Sequence, residues 1–281
     1  MRFRLLTSTL RLYIPSALCL LPSAFTSRFR FMQLSLIAIL TGLVVIGLGG
    51  SAHSQAQPGS GLGNPTSGAY LRLPPSQPHP LPATLSGART STTDDYFDQV
   101  QMSPQVGHLI WSRFPVKVYI HPPELPFPDS GRFTSQQLQI WQQAAQQAVQ
   151  EWQPYLPLQL VRQPNGADIT MRPAPVPGQS SGRVRAGQTS YTFYVDADKT
   201  LRHQMVVMVR PNQAAPYVLA TLRHELGHAL GIWGHSPQPS DVLYFAQVGQ
   251  SPPISARDIN TLRRIYQQPT RVGWPVQVAT R

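Results

Sequence analysis

The stretch that decides the fold and the chemistry is His224-Glu225-Leu226-Gly227-His228-Ala229-Leu230-Gly231-Ile232-Trp233-Gly234-His235. On a helix, residues four apart project from one face, so His224 and His228 are spaced to hold a single ion between them. Neutral imidazole nitrogens suit Zn²⁺ at about 2.0 to 2.1 Å, and a catalytic zinc usually keeps three protein ligands and a water. Glu225 sits on the adjacent arc, where a carboxylate can take that water's proton as it attacks a peptide carbonyl. The competing reading of Glu225 is a solvated helix carboxylate, which metal binding alone does not require.

The third ligand separates the possible classes. Glu225 is the last glutamate in the chain, which excludes a zinc site completed by a downstream Glu. Gly231 is suited to end the helix in a left-handed conformation and turn the chain so that His235 returns to the metal. Asp241 is the second candidate. The other histidines have ordinary surroundings: His53 and His79 lie in Pro- and Ser-rich sequence, and His108, His121 and His203 are expected to be solvated or locally bonded rather than catalytic.

Around this motif the sequence predicts an ordered run of elements. Val116 to His121 alternates with the period of a half-buried strand and is ended by Pro122-Pro123. Leu138, Trp141, Ala145, Ala148 and Trp152 are spaced by three and four over 134–153, an amphipathic helix capped by Thr134 or Ser135. Short strands follow at 158–162 and 167–172 across the turn Pro164-Asn165-Gly166, then at 189–196 and 204–210. Residues 217–230 form the motif helix, with Pro216 in its first turn, and Ser255 to Asp258 reads as a capping box opening a helix through Tyr266.

HELGHALGIWGHS followed by SDVLY resembles the metzincin clan and, within it, the matrixin family of zinc endopeptidases, over roughly residues 107–267. The resemblance implies zinc on His224, His228 and His235, Glu225 as general base, and a turn at Ser240 to Tyr244 beneath the metal. It also implies that the strand at 189–196 is an antiparallel edge able to bind an extended protein or peptide substrate by strand addition. Two departures stand out. The family pattern HExxHxxGxxH has one residue fewer between the glycine and the last histidine, so Gly234 is expected to absorb the extra one. Leu243 stands where the family's turn carries methionine, an apolar near-isostere. The structural-zinc array of many matrixins has no counterpart, since Asp196, Asp198 and His203 are too few, and a Ca²⁺ site stays open without positive support.

The expected fold class is therefore α+β: one metzincin-like domain with a mixed, mostly parallel five-stranded sheet, two long helices and a small C-terminal helical part. The expected boundaries are a leader at 1–56, a linker or pro-segment at 57–106, the catalytic domain at 107–268 and a tail at 269–281. The leader carries five Arg and no acid before the apolar run 34–48, followed by Ser51 to Ala56. At about 15 residues this run fits a signal peptide better than the roughly 20 needed to span a bilayer, and membrane anchoring is the alternative. The protein is expected to be secreted, periplasmic or extracellular. Residues 57–88 are rich in Pro, Gly and Ser and are expected to be disordered.

The net charge of +11 would suggest nucleic acid, but removing the leader leaves 18 basic against 12 acidic residues, +6. The remaining arginines are scattered and lysine occurs only at 117 and 199, so no nucleic-acid footprint exists. Cys19, the one cysteine, lies in the leader, which excludes disulfides, thiolate ligands and thiol-based latency in the mature chain. Three functions remain in competition: an active endopeptidase, a catalytically weak zinc-binding relative serving as a secreted binding module, and another hydrolase built on a metal-binding helix.

Overall fold

The computed structural model describes residues 70–124, 126–127, 130–176, 185–246 and 252–279. In chain order its elements are β1 (Tyr70–Arg72), α1 (Ala83–Gly87), β2 (Val116–Ile120), α2 (Ser135–Trp152), β3 (Leu158–Val161), β4 (Ile169–Pro173), β5 (Gly187–Val195), β6 (Leu201–Val209), α3 (Ala215–Leu230), α4 (Ala256–Tyr266) and β7 (Gln277–Ala279).

Every second residue of β6, from Leu201 through Met205 to Val209, is buried, while those between are partly or fully exposed. One face of the sheet is thus core, as the period-two geometry of a strand requires. The sheet order is β3-β2-β4-β6-β5. Its first four strands run parallel and β5 is antiparallel to β6 at the edge, so the fold is α+β with a mostly parallel five-stranded sheet, as expected. The strands on either side of Gly166 do not pair with each other; each lies parallel to β2, on opposite sides of it.

The helix α2 starts where expected, with Thr134 and Gln137 forming a reciprocal capping box. Its apolar stripe buries Trp141 and Trp152, and the Trp152 indole donates to the Arg223 carbonyl on α3 at 3.0 Å. Glu151 pairs with the Arg223 guanidinium, so the two long helices are joined by polar as well as apolar contacts. Ser255 and Asp258 form the second capping box, at the start of α4.

The expected linker at 57–106 and tail at 269–281 need correction where they are described. Leu85, Tyr96 and Val106 are buried in the common core, as are Val272 and Val276. Backbone carbonyls of the first segment are taken up by folded side chains: Arg263 donates to Leu85 and Ala88, and Asn260 to Thr92 and Asp94. In addition, β1 pairs with β7 and Gln77 with Thr270. A Pro- and Ser-rich segment cannot build a core of its own, but it can dock single anchors into an existing one. The compact unit therefore takes in the described residues from 70 to 279 rather than 107–268. Among the described residues no helix is long and apolar enough to cross a membrane; the leader and its apolar run 34–48 lie outside them.

Candidate metal centre

The motif helix ends at Leu230, and Gly231 follows with φ of +130°, a conformation that β-carbon-bearing residues rarely adopt. The Ile232 amide donates back to the Gly227 carbonyl at 3.1 Å and the Gly231 amide to His228 at 3.0 Å. This is the glycine-terminated helix end the sequence predicts. It has a second effect, because it brings the Ile232 carbonyl to within 2.6 Å of His228 Nδ1.

His224 is held in the same manner. Its Nδ1 lies 2.8 Å from the Val242 carbonyl. A carbonyl only accepts, so each Nδ1 carries the hydrogen and each Nε2 is left with its lone pair. With His235 brought back by the turn, one ligand atom from each of the three histidines lies within 4.8 Å of the other two. Three nitrogens at about 2.05 Å from one tetrahedral ion would stand about 3.4 Å apart, so small side-chain adjustments complete the site. The histidine triad can hold a metal ion. Among the described residues it is the one His, Asp or Glu cluster with that capacity.

The electrostatics match a neutral donor set. Burial, and then the nearness of His235, bring the His224 pKa down to about 4, and burial with the two neighbouring imidazoles pushes that of His228 well below its ordinary value. Burial lowers that of His235 too. Uncharged imidazoles present lone pairs to a cation, and such carbonyl partners are the usual means of orienting metal-binding histidines.

Asp241, the second candidate for third ligand, is not in the cluster. It is 1% exposed, accepts from the Ser236 hydroxyl and pairs with Arg257 Nε at 3.0 Å. Its place is structural, locking the turn after His235. That turn closes with the Ser236 amide donating to Leu243 at 2.8 Å, and the Leu243 side chain is fully buried against α3 where Gly227 leaves room. Asp196, weighed for a calcium site, is likewise committed: it accepts from Arg202 Nε at 2.8 Å and from the amides of Asp198 and Thr200.

Glu225 lies one residue along from His224 and is 8% exposed. Its Oε2 accepts from the Thr189 hydroxyl of β5 at 2.7 Å. Burial raises its pKa to about 7, against the lowering effect of the Thr189 bond and of Arg185. Sequence reasoning placed Glu225 beside the ligands but missed Thr189, a strand threonine with no local signal. It also missed the second duty of Asp258, which beyond capping α4 accepts from the Val242 amide at 3.0 Å and so supports the turn that orients His224.

Tyr191 and Trp233 form an aromatic edge beside the triad, 5.1 Å apart, and Trp233 stacks toward the His228 ring at 6.0 Å. Trp233 is thus a residue at the margin of the site rather than part of the deep core. Compared with known proteins, the chain matches no family model and no curated sequence.

Proposed function

We propose that the chain is a zinc-dependent endopeptidase of metzincin type, matrixin-like, that hydrolyses peptide bonds in proteins or peptides bound in extended form. The observation that carries this reading is the buried carboxylate of Glu225 one residue from the first of three converging imidazoles, fixed by a hydroxyl from the edge strand of the sheet. The three-imidazole donor set, with two rings oriented by carbonyls, fits catalytic zinc. A bound zinc ion supplies Lewis acidity to the attacking water and to the substrate carbonyl.

The protein's own groups do the remaining work. Glu225 accepts the proton of the attacking water and returns it to the departing amine. Thr189 holds that carboxylate in one rotamer, since its hydroxyl also reaches the Glu225 carbonyl at 2.9 Å. The edge position of β5 supports substrate binding by strand addition, because among the described residues its one strand neighbour is β6. The leader's composition supports export, to a secreted, periplasmic or extracellular location, or anchoring through 34–48.

The test is elemental analysis of the leader-free protein together with cleavage of an unfolded protein substrate. The expected result is one zinc per chain and activity abolished by chelation. Cleavage by metal-free protein overturns the proposal, and one zinc per chain without any cleavage moves the protein to the non-catalytic binding reading.

A further inference from the structure

The one-residue expansion between Gly231 and His235 has a physical partner in the N-terminal segment. The Gln101 amide donates to the Trp233 carbonyl at 2.7 Å, and Val100 bridges antiparallel to Gly234. The approach is so close that a Cβ on Gly234 would overlap the Gln99 carbonyl oxygen. Glycine is needed there for backbone contact rather than for an unusual φ. Such contacts fix two of the three residues between Gly231 and His235.

The same segment reaches the metal helix by a second route. Tyr96 donates its hydroxyl to Asp258 at 2.5 Å, and Asp258 accepts from the Val242 amide, whose own carbonyl orients His224. Asn260 and Arg263 of α4 clamp the carbonyls of the segment on the other side, as described above.

We infer that residues 83–101 form a positioning strap for the metal centre: pairing with Trp233 and Gly234 sets the loop that delivers His235, and Tyr96 steadies the turn that orients His224. Tyr96 and Gly234 are positioning residues, and the segment is a working part of the folded unit rather than a removable pro-segment. The inference rests on the triad being the metal site, yet it is tested by metal coordination, not by peptidase activity.

The leader-free protein loaded with cobalt(II) reports ligand geometry through its visible spectrum. Gln101→Pro removes the one amide proton that bonds Trp233, and Val100, at φ −86° and ψ 128°, already has the conformation that precedes proline. Gln101→Ala keeps the amide. The expected result is an altered cobalt spectrum and metal affinity lowered at least ~10-fold in Gln101→Pro, with Gln101→Ala unchanged, as for other losses of support behind a ligand. Gly234→Ala should act like the proline variant. In the unmodified protein, zinc loading should slow hydrogen exchange of the 96–103 segment, which needs no variant to fold. Wild-type cobalt spectra in Gln101→Pro and Gly234→Ala, or exchange in 96–103 indifferent to zinc, overturns the strap. Failure of the unmodified protein to bind either ion overturns the metal-centre reading itself.

Discussion

The Thr189 hydroxyl of the edge strand and Glu225 Oε2 of the motif helix are 2.7 Å apart, joining the sheet to the carboxylate proposed for the proton transfer. Glu225→Gln keeps the shape and removes the base, so peptide cleavage should fall by at least ~10² with zinc content unchanged. Thr189→Val removes the hydroxyl and leaves a buried carboxylate unsupported, and a smaller loss in kcat of ~10-fold is expected. The double variant should be no slower than Glu225→Gln alone, because Thr189 acts through Glu225. Steady-state kinetics on the four proteins decide it: additive losses would assign Thr189 a separate role.

His235→Ala and Asp241→Ala should fail in different ways. The histidine variant is expected to lose metal affinity by orders of magnitude while its folding in the metal-free state stays close to the parent's. Asp241→Ala leaves Arg257 and Ser236 without their buried acceptor, which is expected to lower stability by about 1 to 3 kcal/mol and leave three imidazoles in place. Zinc titration and denaturant unfolding of the metal-free proteins separate the two. A greater loss of zinc from the aspartate variant would reverse the assignment.

The legible parts of this protein are those governed by local physics. The Trp141 and Trp152 stripe, the Thr134 and Ser255 capping boxes and the Gly231 helix end each follow from spacing or backbone preference within a few residues. The positions of the five main-sheet strands were readable for the same reason, while β1 and β7 were not, and neither was the strand order, since nothing in 158–172 says that both strands flank β2. The N-terminal segment misled because its anchors, Leu85 and Tyr96, come singly and far apart, without periodicity, and are buried only in the common core. The triad was legible as spacing, and the Ile232 carbonyl that orients His228 follows from the Gly231 helix end; Thr189, which holds Glu225, and the Val242 carbonyl, which orients His224, are tertiary and left no mark in the sequence.

Leu243 occupies the position where the resembled family carries methionine, and its fully buried side chain presses on α3 at Gly227. Leu→Met conserves volume, so Leu243→Met should change stability by less than about 1.5 kcal/mol and leave zinc affinity within a few-fold. Leu243→Ala opens a cavity under the motif helix and should cost about 2 to 5 kcal/mol. Thermal unfolding of metal-free and zinc-loaded protein tests both. A large gain in activity for the methionine variant would show that leucine compromises the site.

His203 sets the last expectation, which concerns acid stability. It is 2% exposed, its ring stacks on Trp111 at 4.0 Å, and its Nε2 has no hydrogen-bond partner among the described residues. The charged and titratable groups around it are Arg113, Asp168, Tyr194 and Arg202, which line the same small cavity. Burial, with help from Arg202, depresses its pKa to about 3 from an ordinary 6.5. Between those values the unfolded chain binds a proton that the folded chain refuses, so this histidine makes stability rise with pH across the window, by up to about 1.4 kcal/mol per unit. Above 6.5 its contribution is constant. His203→Phe keeps a ring against Trp111 and removes the proton, so at pH 5 the metal-free variant should gain about 2 kcal/mol relative to the parent, compared with the difference at pH 7.5. Denaturant unfolding at the two pH values measures it. The metal-site histidines titrate equally in both proteins and cancel in the difference, so parallel pH profiles for parent and variant would show that His203 takes up its proton in the folded state.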